Sequence, residues 1–233
     1  MNRYTGTDNL EIMAEALNYN AFILSLIRRQ LRSGMRVLDI GSGIGTFAKT
    51  LHDEGYEVTC LEPDANHAAH LELNGLCVKR SLADIEGSRF DFIYALNVLE
   101  HIEDDHDALT EWHRLLKPGG RLLIYVPAFH LLYSSMDKKV GHYRRYKCND
   151  LINLINRTGG NLIKARYVDS LGFFASLLYK YKNDGTGDLN RTLLKIYDNF
   201  IFPLSRTLDC LVSRVLGKNV YAIAHRKEAH SPG

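Results

Sequence analysis

The chain has 233 residues, of which 45% are hydrophobic and 24% charged, and its formal net charge is +2. This length suits one large α/β domain. The composition argues against a disordered, collagenous or coiled-coil chain. So small a net charge does not indicate nucleic-acid binding.

Neither a membrane span nor an export signal is predicted. No run of 18 apolar residues occurs, so no membrane-spanning helix is expected. The first residues, MNRYTGTDNLEIM, lack the apolar segment of a secretory signal. The four cysteines form no CxxC pair, so we expect a cytoplasmic protein with reduced thiols and no zinc knuckle.

Short apolar runs alternate with helical patterns in the amino-terminal half. Apolar residues at helical spacing predict a helix over about 9–31, and the KPGG sequence at 117–120 predicts a turn. Strands are predicted at 36–40, 57–61, 76–79, 90–95 and 121–126. Further helices are predicted at 46–54, 64–74 and 105–116. This alternation indicates parallel strands joined by crossover helices.

The carboxy-terminal half is less regular. After a long excursion at 130–146, a helix is predicted at 150–157 and apolar helical segments at 171–181 and 192–216. Strands at 162–168 and 220–225 would complete a Rossmann-like, seven-stranded, mostly parallel sheet with an antiparallel edge. Helices would cover both faces, and the apolar segments would add a helical carboxy-terminal elaboration.

A glycine cluster follows the first predicted strand in VLDIGSGIGTF at 37–47. Gly41, Gly43 and Gly45 allow a tight turn and close approach of a ligand to the backbone. Their GxGxG spacing differs from the GxGxxG of dinucleotide sites. Asp39 just before them is unfavourable beside phosphates but suits a cationic or zwitterionic ligand.

An acidic residue, Glu62, ends the second predicted strand about 20 positions after the glycines. A carboxylate at that place can accept hydrogen bonds from both hydroxyls of a ribose. The alternative is a solvated carboxylate at a strand end. The two signals together favour a site for an adenosine-containing ligand.

Residues 36–126 resemble class I S-adenosylmethionine-dependent methyltransferases. VLDIGSGIGTF is similar to their first motif, LEPD to their acidic ribose site, FDFIYALNVLEHIED to their fourth-strand motif and LLKPGGRLLIYVP to their fifth strand. The resemblance implies S-adenosylmethionine as cofactor and S-adenosylhomocysteine as product. It implies these cofactor-binding residues: Asp39, Gly41, Ser42, Gly43, Gly45, Glu62, Pro63, Ser81, Leu82 and Asn97. It further implies one methyltransferase domain over 1–233, with a cofactor core at 1–127, substrate-recognition insertions and helices at 128–218 and a last strand at 219–227.

Two histidines are candidate catalytic bases. His101 follows the fourth strand within NVLEHIEDD, and His142 lies in the later segment GHYRRY. A free histidine titrates near neutral pH, as a general base for a hydroxyl acceptor requires. The alternative is that Glu100 and His101 only shape the start of the next helix. No metal is predicted.

The basic segment 137–147 is the candidate acceptor site. An arginine pair can bind phosphate or carboxylate in a bidentate manner. The alternative is a solvated basic loop anchored by its tyrosines. The predicted acceptor-binding residues are His130, Tyr143, Arg144 and Arg145.

GHYRRY and the following tail also resemble a methyltransferase subgroup associated with bacterial surface polysaccharides. This likeness implies a sugar, or a sugar linked to a phosphate or lipid carrier, as the acceptor. The apolar helices near the carboxy terminus are interpreted either as a lid or homodimer contact, or as a peripheral membrane contact.

Three functions remain open. The first is O-methylation of a small-molecule or glycan acceptor. The second is N-methylation of an amino sugar or other metabolite, and the third is a non-catalytic cofactor-binding module. Nucleic acid is not expected as a partner, because Asn97 is followed by Val-Leu-Glu. Amino-methylating nucleic-acid enzymes usually carry an Asn/Asp-Pro-Pro-Tyr/Phe type of sequence there.

Overall fold

A computed structural model describes residues 7–85, 87–182 and 189–227. It confirms the predicted seven-stranded sheet, whose strand order is β3-β2-β1-β4-β5-β7-β6. The strands are β1 (Arg36–Ile40), β2 (Glu57–Leu61), β3 (Cys77–Lys79), β4 (Phe90–Leu96), β5 (Leu116–Pro127), β6 (Gly160–Val168) and β7 (Asn219–Arg226).

Ten α-helices lie in the described part of the chain. Between α9 and α10 the helix passes through a π-helical turn, Tyr197–Ile201. The first five are α1 (Thr7–Ala14), α2 (Leu17–Arg28), α3 (Thr46–Asp53), α4 (Ala65–Leu73) and α5 (Asp105–Leu115). The others are α6 (Ser135–Val140), α7 (Cys148–Arg157), α8 (Ser170–Lys182), α9 (Arg191–Ile196) and α10 (Phe202–Val212).

Strand direction decides where a ligand can bind. β1 pairs in parallel with β2 and with β4, so the direction of strand succession reverses between β1 and β4. β7 lies antiparallel between β5 and β6. In open α/β sheets, ligands bind beyond the carboxyl ends of the strands at such a reversal. The ends of β1, β2 and β4 are therefore the place to look for a site.

Both faces of the sheet are covered, as continuous apolar strands predict. Neighbouring residues of β1 alternate between the two cores, with Val37 on one face and Leu38 on the other. The core on the side of Leu38 contains Trp112 of α5, and the opposite core contains Ile27 of α2.

The helix predicted over about 9–31 is two helices, bent by 88°. The Asn20 side chain donates to the carbonyls of Met13 and Ala14, which ends α1. The Asp198 carboxylate accepts from the backbone N–H groups of Asn18 and Tyr19, which starts α2. Helical spacing alone does not reveal this break, because one of the groups that causes it lies 180 residues away.

Residues 117–120, predicted to form a turn, lie within β5 in the structure. The β4–β5 register shifts between Phe90 and Phe92, so the KPGG sequence is an irregularity in the ladder. The Lys117 ammonium lies 2.8 Å from the Asp91 carboxylate and holds the irregular segment against β4.

No single described helix has the length and hydropathy of a membrane span. Joined together, the bent pair α1 and α2 passes that test by length and composition only.

The buried His113 on α5 should make folding stability depend on pH. Burial lowers its pKa to about 4, whereas an unfolded chain titrates near about 6.5. Between these two pH values His113 binds a proton in the unfolded state but not in the folded state. We therefore expect this histidine to subtract up to about 3 kcal/mol from the free energy of unfolding as pH falls from about 6.5 to about 4.

Denaturant unfolding at a series of pH values tests this expectation. His113→Gln should flatten the fall in unfolding free energy below about pH 6.5. Equal slopes for the variant and the unchanged protein would exclude His113 as the source.

Candidate active site

The glycine loop between β1 and α3 has a backbone that only glycine adopts easily. Gly41, Gly43 and Gly45 have φ values of 70°, 54° and 84°. A Cβ at Gly41 would lie 2.5 Å from Val98 Cγ2, and a Cβ at Gly45 would lie 2.5 Å from Leu71 Cδ2. The loop thus packs closely and leads directly into the amino terminus of α3, whose first N–H groups lack helical partners.

Gly45→Ala is expected to destabilise the fold by about 1–3 kcal/mol, from a strained φ and overpacking against Leu71. Gly55→Ala is the matched control, because Gly55 has a φ of 88° and a Cβ there would meet nothing within 4 Å. It should show only the cost of strain. Chemical denaturation measures both, and an equal loss in the two variants would exclude the packing contribution.

Glu62 lies at the end of β2 with its carboxylate buried. One oxygen accepts from the Gly43 N–H at 2.7 Å and the other from the Asp64 N–H at 2.9 Å. Burial raises its pKa, although these two donors oppose the shift. Each oxygen keeps a lone pair beyond these bonds, so both can still accept from a ligand's hydroxyl groups.

Asp39 is the last-but-one residue of β1 and is also buried. Burial raises its pKa to about 7. A cationic group placed beside it would favour the charged carboxylate. The Ser42 hydroxyl donates to the Asp39 carbonyl at 3.1 Å, which holds the first turn of the glycine loop.

Three of the predicted cofactor-binding residues, Pro63, Ser81 and Leu82, lie in the segments that follow β2 and β3. Arg80 donates to the Pro63 carbonyl at 2.6 Å, linking the segment after β2 to the segment after β3. Ser81 donates its N–H to the Asp84 carboxylate at 2.9 Å, and Leu82 begins a 3-10 turn. Pro63, Ser81 and Leu82 are therefore brought to one corner, as expected for residues that share a ligand.

Asn97 follows β4 at the reversal of strand order. Its φ is 53°, and its N–H donates to the Tyr125 carbonyl at 2.7 Å. The Tyr19 ring of α2 packs edge to face on the Tyr125 ring. Tyr19 thus packs against the core on this side of the sheet.

A buried carboxylate orients His142. The Nδ1 atom of His142 lies 2.7 Å from Asp137 Oδ1. Because Asp137 only accepts when ionised, Nδ1 carries the proton and Nε2 is left as an acceptor. Burial opposes the charge of Asp137, but hydrogen bonds from His142 and Arg145 outweigh it and hold the pKa well below its usual range. This pair has the arrangement of a general base and its orienting acid.

Local structure explains how residues five apart can meet. α6 ends at Val140 and is followed by Gly141, which has a φ of 80°. This left-handed residue turns the chain back, and the His142 N–H donates to the Asp137 carbonyl at 2.9 Å. Asp137 was missed as a functional residue, although the glycine just before His142 was the available signal.

Glu100 and His101 face His142 from the end of β4. Glu100 is fully buried, and neither carboxylate oxygen has a hydrogen-bond partner among the residues that the structure describes. One of these oxygens lies 3.8 Å from His142 Nε2. Burial raises the pKa of Glu100 to about 8 and lowers that of His101 to about 4, so both are mainly neutral at pH 7.

The ligand atoms of Glu100, His101 and His142 all lie within 4.8 Å of one another. This spacing could hold a divalent cation. The absence of a metal stays a prediction.

The structure corrects the prediction that Arg145 binds an acceptor anion. Its guanidinium is buried and donates to both oxygens of Asp137, at 2.8 and 2.9 Å, and to the Ala128 carbonyl. Arg144 is half-buried and pairs with Asp105 at 2.7 Å. The arginine pair therefore holds the segment in place rather than presenting two free cations.

The other two predicted acceptor residues lie at the surface. Tyr143 is exposed, and its N–H donates to the Glu100 carbonyl at 2.8 Å. His130 is exposed in a 3-10 turn after β5, where its ring lies against Tyr133. Among the described residues, no hydrogen bond or ring contact joins either side chain to the His142 ring.

The chain is similar to known methyltransferases. A family model described as a methyltransferase domain matches residues 12–164. A ubiquinone biosynthesis O-methyltransferase of Alkalilimnicola ehrlichii is 31% identical over 120 residues, covering 47% of this chain and 45% of the relative. Phosphoethanolamine N-methyltransferase 2 of Caenorhabditis elegans is 32% identical over 156 residues, covering 58% and 35%. The chain thus spans less than half the length of these curated relatives.

Solved structures with the same fold are more distant in sequence. Phosphoethanolamine N-methyltransferase 2 of Haemonchus contortus, in complex with S-adenosyl-L-methionine, superposes with a TM-score of 0.60 at 22% identity, covering 91% of this chain and 53% of that chain. A SAM-dependent methyltransferase from Archaeoglobus fulgidus gives 0.59 at 16% identity, covering 89% and 94%.

Proposed function

Because the chain belongs to the methyltransferase-domain family, we propose that it transfers a methyl group from S-adenosylmethionine to a hydroxyl oxygen of a small acceptor. The cofactor follows from the family and from similar structures solved with S-adenosyl-L-methionine bound. The oriented pair of His142 and Asp137 is the observation that favours an oxygen acceptor over a nitrogen acceptor. A neutral hydroxyl needs a base to remove its proton during methyl transfer, whereas a neutral amine does not.

The residues at the ends of β1 and β2 fit this cofactor. Glu62 has lone pairs left for the two ribose hydroxyls, and the buried Asp39 suits a positively charged group. The glycine loop offers bare backbone where a side chain would clash. When bound, the cofactor supplies an electrophilic methyl group on a sulfonium sulfur.

The protein's own contribution is orientation and proton transfer. His142 Nε2 accepts the proton of the acceptor hydroxyl. Asp137 fixes the tautomer that makes this possible, and it stabilises the resulting imidazolium. The guanidinium of Arg145 forms an ion pair with Asp137 in the buried segment, so the carboxylate stays ionised and in place.

The acceptor is proposed to be a sugar or another small molecule carried on a lipid. The resemblance of GHYRRY to the polysaccharide-associated subgroup supports the sugar. Arg144 and Arg145 pair with carboxylates of the protein, so their basic side chains no longer argue for a phosphate group on the acceptor. The two curated relatives methylate oxygen in ubiquinone biosynthesis or nitrogen of phosphoethanolamine, according to their names.

Methyl-labelled S-adenosylmethionine, added with the protein to an extract of the source organism, tests the proposal. Label in an organic-soluble or polysaccharide fraction, released as a methyl ether on degradation, is the expected result. Label on an amine would favour the N-methylation alternative. Label confined to protein or nucleic acid would exclude the proposed acceptor class.

A further inference from the structure

A stripe of large apolar side chains runs along the solvent side of the carboxy-terminal helices. Its seven members are between 37% and 83% exposed. They are Leu193, Ile196, Phe200, Leu204, Leu208, Leu211 and Val215. Single exposed apolar residues are ordinary on protein surfaces, but a continuous row of this length marks an interaction surface.

The spacing of the stripe shows that it is one face. Consecutive members are three or four residues apart, which for the six members from Leu193 to Leu211 is the spacing of one side of a helix. Val215 lies in the turn that follows α10. α9, the π-helical turn and α10 follow one another without a break between 191 and 212. The two steps of four residues across the π turn suit its larger number of residues per turn, so the stripe stays aligned there.

The inward face of the same helices is partly polar, which is the reverse of an ordinary surface helix. Asp209 accepts from the N–H groups of Asp169 and Ser170, each at 2.9 Å. Asp198 accepts from two N–H groups at the start of α2. These buried hydrogen bonds fix the rotation of the helices, so the apolar stripe cannot turn toward the core.

α8 adds a second row beside the first. Phe174, Leu178 and Tyr181 are exposed at positions i, i+4 and i+7. α8 packs against α10, and Ser205 of α10 accepts from the Leu171 N–H at 2.9 Å. The two rows together form one surface, the apolar ridge.

The exposed charges on the described part of the ridge helices are basic. Both carboxylates within the described residues 170–182 and 189–218, Asp198 and Asp209, are buried. The exposed charged residues there are basic, namely Lys180, Arg191, Lys195 and Arg214. Arg191 and Lys195 share one acidic partner, Glu15, which leaves the surround positive.

We propose that the apolar ridge docks on the surface of an anionic lipid bilayer, with the apolar side chains among the acyl chains and the basic residues at the headgroups. Exposed apolar side chains combined with flanking cations are what an interfacial helix requires. The inference rests on the proposed function only for the idea that the acceptor is lipid-linked.

Co-sedimentation with vesicles tests the docking without any acceptor. The full chain should bind phosphatidylglycerol-containing vesicles and bind phosphatidylcholine vesicles at least about tenfold more weakly, because the basic residues contribute. The double variant Leu204→Glu with Leu211→Glu should lose at least about tenfold in binding to the anionic vesicles. Leu73→Glu is the matched control, since Leu73 is an exposed leucine on α4, and it should bind as the unchanged protein does.

Three results would overturn the docking. The first is that the unchanged protein does not bind anionic vesicles. The second is that the double variant binds them as well as the unchanged protein does. The third is that the unchanged protein is a dimer in solution and binds no vesicles, and that the double variant is a monomer. The last result would assign the ridge to a second copy of the chain. Calorimetry of S-adenosylhomocysteine binding on the same samples shows whether each variant is folded. Failure on vesicles with a methylated hydroxyl product in the extract would remove the docking and leave the proposed function standing.

Discussion

Replacing His142 by alanine is expected to lower kcat by about 10²–10⁴-fold, the usual contribution of a positioned general base. Asp137 holds the ring through Nδ1, so in the proposed mechanism Nε2 is the nitrogen that takes the proton of the hydroxyl. S-adenosylhomocysteine affinity should not change, because the predicted cofactor-binding residues, Glu62 and the glycine loop, lie at the ends of other strands. Turnover with labelled cofactor and calorimetry with S-adenosylhomocysteine measure the two quantities.

A matched control is His106→Ala, which removes an exposed histidine of α5. Its kcat should equal that of the unchanged protein. Treating the unchanged protein with a chelator separates a base from a metal ligand, because the predicted chemistry needs no cation at Glu100, His101 and His142. Full turnover by His142→Ala would remove this residue from the mechanism, and loss of turnover on chelation would assign it to a metal.

Glu62→Ala should weaken S-adenosylhomocysteine binding by about 1.5–3 kcal/mol, the cost of losing a charged hydrogen-bond partner. This corresponds to a Kd raised by roughly 10- to 150-fold. The carboxylate is expected to act twice, by accepting from the ligand's ribose and by holding the Gly43 N–H at 2.7 Å. Isothermal titration calorimetry gives the Kd directly.

Glu57→Ala is the control for Glu62. Glu57 begins the same strand, is exposed and pairs with Arg36, so its removal should leave the Kd unchanged. Glu62→Gln keeps one carbonyl oxygen but replaces the other with a donor, and an intermediate loss is expected. An unchanged Kd in Glu62→Ala would exclude this residue from the cofactor site.

Local patterns determined the order of strands and helices in this protein. Continuous apolar runs predicted both ends of β1 and β2 and came within one residue of those of β4, because buried parallel strands need apolar residues on both faces. β5 begins at Leu116, before its predicted start at 121. The glycines and Glu62 predicted a site for an adenosine-containing ligand, since their spacing along the chain is set by one βαβ unit, whereas the cofactor class came from the resemblance of four motifs to a known family. The break between α1 and α2 was not predictable, because it depends on Asp198.

Only the tertiary structure decided which charged side chains pair with one another. In the sequence, Arg144 and Arg145 look like a free anion site, yet Arg145 pairs with a buried carboxylate and Arg144 pairs with Asp105. Asp137 accepts from the Ser134 N–H at the start of α6, and the turn at Gly141 also makes it the partner of His142. Residue type and local spacing determine secondary structure and the glycine loop. The pairing of charges depends on distances between segments, and these exist only after the chain has folded.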